Sequence, residues 1–381
     1  MKPLVSKLPE VGTTVFTVMS ELAVRHAAVN LGQGFPDYDP DPRLQALVAE
    51  AMRSGHNQYA PLAGVRALRE RIAEKVARLY GHEYDPESEI TISAGATQAL
   101  MSVLLAAVHP GDEVIVLEPA FDSYVPGIRL AGGHPVFVPL DPSDYGIPWD
   151  RVRAAVTPRT RLLMLNSPHN PSGAVISGKD LDALEALVRD TDLLLLSDEV
   201  YEHIVFDGRE HASLARRPRL AERAFVVSSF GKTFHATGWK VGYCCAPPEL
   251  TLEFRRVHQF MVFAVATPFQ HAMAAYMSDP AVYESLAAFY QAKRDRFRRG
   301  LTGSRFRLLP CAGTYYQLAE YSAISDEPEE EFARRLIVEH GVASIPVSAL
   351  YAQPVDRRVV RFCFAKKEST LDRALERLSA L

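Results

Sequence analysis

The sequence predicts an α/β protein: a mostly parallel, seven-stranded sheet covered by helices, followed by a smaller α+β domain. Three observations predict it. From about residue 90 short apolar runs recur that leave no polar face, as the strands of a buried parallel sheet do. Amphipathic segments such as 97–108 (TQALMSVLLAAV) and 179–190 (KDLDALEALVRD) separate several of these runs, the alternation that gives a parallel sheet with helices on it. At 381 residues the chain exceeds what one core usually fills, so two domains are expected.

The expected strands, in order, are 89–93, 113–117, 134–140, 161–166, 192–198, 224–229 and 240–246. The pattern then changes. A stretch rich in Arg and Lys at 279–300 predicts a long helix. Strand-like FRLLP, TYYQLAEY, VASIPV and RVVRFCFA follow, with helices near 328–340 and 369–380. We therefore expect a large domain over 31–275, a small domain over 276–381, and an N-terminal arm, 1–30, packing with the small domain.

Composition is that of an ordinary globular chain, with 48% apolar and 23% charged residues. The net charge of −4 gives no basic field for nucleic acid or for an anionic membrane. Cys244, Cys245, Cys311 and Cys363 show no metal-ligand spacing, so core thiols in a reducing compartment are expected. The first residues contain no apolar leader, and no apolar run nears the ~20 residues of a membrane span. A cytoplasmic protein is expected.

Ligands of open parallel sheets bind at the carboxyl ends of the strands, so the residues after each strand are the candidates. AGAT, after the first strand, leaves bare backbone at Gly95 and Ala96 before a helix beginning near Thr97, where N–H groups can face a phosphate. Tight packing is the commoner reason for small residues before a helix. Asn170 lies in SPHNPSG, either as a directional side chain or as part of an Asn-Pro turn. Asp198 ends an apolar strand, where a carboxylate needs a cationic or hydrogen-bonding partner unless it caps a helix.

Lys232 follows the strand 224–229 instead of sitting on a charged helical face. Desolvated, such a lysine loses its proton and attacks aldehydes; solvated, it is an ordinary loop residue. Ser228, Ser229 and Lys240 flank it and can offer hydroxyls and charge to a phosphate. Arg361 sits within the strand-like VVRFCFA, where an anionic partner is needed, either a substrate carboxylate or a structural acid. A phosphate-binding helix start, an Asn, an acid with Tyr201 nearby, a lysine and a late arginine together are what pyridoxal phosphate chemistry requires.

These segments, NQYAPLAG, SAGATQAL, NSPHNPSG, SDEVYEH, SSFGKTFHATGWKVGY and RFCFAKKEST, resemble the class I pyridoxal-phosphate aminotransferases of fold type I over essentially the whole chain. LGQGFPD and EPAFDSY are similar to the kynurenine aminotransferase branch, and HQFMVFAVATPFQ and CFAKKEST to bacterial methionine aminotransferases. The resemblance implies pyridoxal 5'-phosphate as cofactor. It implies that Lys232 holds it as the Schiff-base lysine and shuttles the substrate proton, and that Asp198 pairs with the ring nitrogen. Tyr201 and Asn170 would face the ring hydroxyl, and Phe121 would stack on the ring. The phosphate would meet Ala96, Thr97, Ser229, Lys240 and Tyr59 of a neighbouring subunit. Arg361 would clamp the substrate α-carboxylate with backbone at Gly34, while Phe16 and a neighbour's Phe263 would line the side-chain pocket.

The implied partners are an amino acid, a 2-oxo acid and a second copy of the chain. Ala264 replaces a histidine frequent in the kynurenine branch, and no second arginine for a distal carboxylate is evident. Methionine or similar apolar and aromatic amino acids are therefore the expected donors. A β-lyase or decarboxylase on the same fold is the nearest rival. A ligand-sensing domain of a transcription regulator is disfavoured, since no DNA-binding module is expected ahead of motifs that begin at residue 31, and a dinucleotide enzyme lacks its G-x-G-x-x-G.

Overall fold

The computed structural model describes residues 3–353 and 355–381. Its strands are β1 (Val29–Asn30), β2 (Ile90–Ser93), β3 (Glu113–Glu118), β4 (His134–Pro139), β5 (Thr160–Asn166), β6 (Leu194–Asp198), β7 (Ala224–Ser229), β8 (Gly242–Cys245), β9 (Arg307–Leu308), β10 (Tyr316–Glu320), β11 (Val342–Ala343), β12 (Ile345–Pro346) and β13 (Val359–Cys363).

Seven of them form the large sheet in the order β2-β8-β7-β6-β5-β3-β4. All seven expected runs are in it. β8 alone runs against its neighbours β2 and β7, while β3 to β7 pair in parallel. Every residue of β2, β3, β7 and β8 is buried, because helices lie on both faces. The helix Ala96–Ala107 covers one face, where Ala99, Val103 and Leu104 pack with Val116, Leu162 and Phe225. A larger apolar cluster fills the other side and continues to the small sheet. One covering helix, Gly178–Arg189, starts on a capping box in which Ser177 and Asp180 satisfy each other's backbone N–H.

The second sheet has the order β12-β13-β10-β9 and is antiparallel throughout. VASIPV differs from the expected single strand. It breaks at Ser344 into β11, which pairs in parallel with β1, and β12, which pairs with β13. The chain turns between two different partners there, and an unbroken strand could satisfy only one of them. The expected helix over 279–300 begins at Ala281, after Pro280, and Leu286–Gly300 forms its main part. The helix Val15–Arg25 packs its buried Met19 and Ala23 into the same core as Val342 and Ile345. All four cysteines are buried and free.

Candidate active site

A cavity of about 400 Å³ lies at the carboxyl ends of β5, β6 and β7. The register pairs Asn166 with Asp198, so these strand-end side chains arrive side by side. β7 ends at Ser229 and runs into a single helical turn, Phe230–Thr233, which carries Lys232 into the cavity. β13 of the small sheet brings Arg361 from the opposite side.

Asp198 is 5% exposed and accepts a hydrogen bond from the Tyr124 hydroxyl at 2.6 Å and one from the Val200 N–H at 3.3 Å. Burial pushes its carboxyl up to about 6, against the pull of Tyr124. It caps no helix. Asn166 Nδ2 donates to the Asp198 carbonyl at 2.9 Å, and Asn166 Oδ1 accepts from the Asn170 N–H at 2.8 Å. The strand end thus anchors the Asn-Pro turn.

Lys232 Nζ donates to the Gly34 carbonyl at 3.3 Å and lies 5.7 Å from the ring centroids of both Tyr201 and Tyr315. Among the described residues no carboxylate is in contact with it. Burial brings its ammonium down to about 8, so a substantial neutral fraction exists near physiological pH. A nucleophilic amine requires that state. The Tyr201 hydroxyl is 3.2 Å from the Tyr316 hydroxyl, and burial raises its pKa well above the ordinary range.

Arg361 is 1% exposed, and among the described residues no carboxylate pairs with it. Nη1 donates to Asn170 Oδ1 at 2.7 Å and Nη2 to the Gly32 carbonyl at 3.0 Å, while Nε finds no partner among the described residues. Its guanidinium lies 4.0 Å from the Tyr316 ring centroid and 5.2 Å from that of Phe16. A buried cation with a free donor, facing a cavity, is a site for an anion.

At the other end the helix Ala96–Ala107 presents its first N–H groups, with Ala96, Thr97, Ser229 and Lys240 on the wall. Gly95 has a φ of +77°, and a Cβ at Gly242 would lie 3.1 Å from the Ala96 nitrogen and 2.7 Å from the Ser228 carbonyl oxygen. Only glycines let the backbone close this cradle. A helix start with a lysine and a hydroxyl attracts a phosphate. Asp198 with Lys232 and the Phe121 ring then provide what a pyridoxal ring needs between phosphate and substrate, so the residues fit that cofactor.

The cavity collects Phe16, Gly34, Ala96, Thr97, Phe121, Asn170, Asp198, Tyr201, Ser229, Lys232, Lys240 and Arg361. Two sequence candidates lie elsewhere in this chain. Tyr59 and Phe263 are 80% and 55% exposed and pack edge to face, with ring centroids 5.0 Å apart. Ser228 corrects the sequence reading. Its hydroxyl donates to Glu202 at 2.5 Å on the far side of β7, because successive strand residues face opposite ways. Sequence reasoning also missed Tyr124, three residues after Phe121, and Tyr316. A buried acid calls for such a donor, but only the fold shows which tyrosine reaches it.

Among the described residues, no helix is long and apolar enough to cross a membrane. The family model for Aminotransferase class I and II matches residues 27–378. A methionine aminotransferase of Escherichia coli (strain K12) is 50% identical over 99% of this chain and 98% of its own. The solved structure of YbdL from Escherichia coli, described as identifying a methionine aminotransferase function, superposes with a TM-score of 0.98 at 49% identity, covering all of both chains. That of N-succinyldiaminopimelate aminotransferase from Mycobacterium tuberculosis gives 0.95 at 42% identity, over 99% and 100%.

Proposed function

The chain belongs to the class I and II aminotransferase family, and from that premise we propose that it uses pyridoxal 5'-phosphate to move the α-amino group of methionine, or a similar apolar or aromatic amino acid, to a 2-oxo acid. The carrying observation is the order of groups along one cavity: an anion-binding helix start with Lys240, then Lys232, then Asp198 and Asn170 beside Arg361. The similar methionine aminotransferase supports the donor. So does the cavity: among the described residues Arg361 is the arginine lining it, and Phe16 and Phe121 give it apolar walls.

When bound, the pyridoxal ring supplies the electron sink that acidifies the bonds at the substrate's Cα. Asp198, buried and ionisable, holds the proton at the ring nitrogen, and Tyr124 keeps the carboxyl aimed. Tyr201 and Asn170 face the ring hydroxyl. Arg361 would take the substrate carboxylate through a two-point contact, and Asn170 fixes the guanidinium, so that the substrate's Cα would be held in one orientation toward Lys232. Lys232 Nζ would hold the cofactor and, once released from it, serve as the base that takes the substrate's Cα proton and as the acid that gives it back. An amino acid thus leaves as its 2-oxo acid, and a second 2-oxo acid leaves as an amino acid.

We place the active unit as a homodimer in which Tyr59 of one subunit completes the phosphate site of the other and Phe263 borders its substrate pocket. The exposed pairing of these two rings supports it, as does the 88% exposure of Phe260, three residues before Phe263 in the chain. The same reading divides the chain near residues 30 and 275. The test is spectroscopic: methionine should bleach the yellow form of the cofactor-loaded protein, and a 2-oxo acid should restore it. Comparing methionine, phenylalanine, kynurenine, glutamine and glutamate ranks the donors. Pyruvate released from cysteine conjugates, with no amino acid formed from methionine and an acceptor, would favour a β-lyase instead.

A further inference from the structure

Tyr316 opens β10 of the small sheet and lines the cavity. The register pairs Leu318 with Arg361, which makes Tyr316 the diagonal neighbour of Arg361 on one face of the sheet. Its ring lies flat enough against the guanidinium to bring the centroid within 4.0 Å of Cζ. Its hydroxyl reaches across to the large-domain turn after β6, 3.2 Å from that of Tyr201. It is also wedged in place: a Cβ on Gly34 would fall 2.0 Å from the Tyr316 oxygen.

We propose that Tyr316 is a positioning residue that links the two ends of the reacting centre, its ring backing the Arg361 carboxylate clamp and its hydroxyl donating to Tyr201. This rests on the functional reading above, in which Arg361 takes the α-carboxylate and Tyr201 faces the ring hydroxyl.

The proton count fixes the direction of the bond. Each phenol has one proton to donate. That of Tyr315 goes to the Gly34 carbonyl at 2.7 Å. If Tyr201 gives its proton to the cofactor oxygen, its own oxygen is left as an acceptor, and Tyr316 is the neighbouring hydroxyl whose proton is uncommitted. Accepting that bond makes Tyr201 the stronger donor. The other titratable or charged groups facing the pair are Tyr315, Tyr290, Tyr124, Cys363, Arg361 and Lys232. Tyr315 also neighbours the Tyr201 hydroxyl, but its one proton is committed to the Gly34 carbonyl, which leaves Tyr316 as the donor. The ring acts separately. An aromatic face against a desolvated guanidinium stabilises it and holds its plane.

Two variants of the cofactor-loaded enzyme separate the roles. Tyr316→Phe keeps the ring and removes the hydroxyl. The pH midpoint of the bound cofactor's visible absorption change should rise by about 0.2–0.6 unit, since Tyr201 then stabilises the ring oxyanion less. KM for methionine should stay within roughly twofold of the parent, because the backing of Arg361 survives. Tyr316→Leu removes both: the same midpoint shift should come with a KM about tenfold higher for amino acid and 2-oxo acid alike, and a smaller change in kcat. A residue that merely filled space would lower the melting temperature and leave the midpoint alone. An unmoved midpoint in a yellow Tyr316→Phe enzyme overturns this proposal by itself, as does a Tyr316→Leu enzyme with parental KM. If the parent protein takes up no pyridoxal phosphate, the functional reading fails and this one with it.

Discussion

Arg361 and Asn170 stand 191 residues apart in the chain and meet at 2.7 Å, the guanidinium Nη1 donating to the amide Oδ1. One comes from the small sheet and the other from the turn after β5, so this pair forms only where the two parts of the fold meet. Its geometry is set before substrate arrives: the Gly32 carbonyl holds Nη2, and the Phe16 and Tyr316 rings flank the plane.

Replacing Arg361 by lysine keeps the charge and loses the planar fork. We expect kcat/KM for methionine to fall by about 30–300-fold, a loss of roughly 2–3.5 kcal/mol of charge-assisted hydrogen bonding. The loss should appear mainly in KM and should afflict the 2-oxo acid half-reaction equally. Steady-state kinetics with both substrates varied measures it; a lysine variant with unchanged KM would contradict the assignment.

Asp198 gives a pH signature in the cofactor-free protein. Its carboxyl sits at about 6 in the folded chain against an ordinary value of 3.8. Between those values the folded state binds more protons than the unfolded one, so stability falls as pH rises through the window. Above it the cost is on the order of 2–3 kcal/mol. Asp198→Asn should therefore melt higher than the parent at pH 7.5, with the difference closing toward pH 4, while amino transfer collapses. Equal melting temperatures at pH 7.5 would show that the carboxylate is stabilised by something other than the groups described.

Lys232 has the opposite displacement for a base, about 8 instead of 10.5. Its folded form binds fewer protons, so cofactor-free stability should rise with pH between about 8 and 10.5 as the amine neutralises in the unfolded chain too. Lys232→Ala should abolish that slope and lower kcat by at least about 10³-fold, as expected on removing a proton-transferring group. Melting curves across pH 7–11 and single-turnover rates test both halves.

Beneath the site Lys75 and Glu202 form an ion pair at 2.6 Å, with side chains 2% and 3% exposed. Glu202 also accepts from Tyr80, Ser228 and Tyr243 at 2.5–2.6 Å. The network pins the turn bearing Tyr201 to β7 and β8. Lys75→Met leaves the carboxylate buried without its cation and should cost about 3–5 kcal/mol of unfolding free energy. Removing both partners, as in Lys75→Met with Glu202→Leu, should cost less than the single change. Denaturant melts of the three variants decide it.

A shared site makes a prediction that one subunit cannot satisfy. Mixing Tyr59→Ala and Lys232→Ala subunits creates hybrids in which one of the two sites has both an intact Lys232 and an intact Tyr59. Activity should recover on mixing, beyond the sum of the two parents. No recovery, with hybrids present by native electrophoresis of differently tagged subunits, would mean that Tyr59 serves no neighbouring site.

The seven runs of the large sheet were legible because each is apolar on both faces, and only the interior of a helix-covered parallel sheet hides such a surface. Lys232, Asp198, Asn170 and Arg361 were legible through their places at strand ends and within an apolar strand, where a polar group without a partner is costly. VASIPV was not legible as two strands. Its residues suit either neighbour, and the choice depends on β1 from the far end of the chain.

The sequence by itself determined which groups are present: an amine, a carboxylate, a guanidinium and a glycine-flanked helix start, each placed by local pattern. Only the tertiary structure decided which others join them. Strand alternation turned Ser228 away from the cavity, and the meeting of two sheets put Tyr124 on Asp198 and Tyr316 between Arg361 and Tyr201. The physical reason is range. Period and capping act within a few residues, whereas a hydrogen bond between side chains 115 residues apart depends on how the whole core packs.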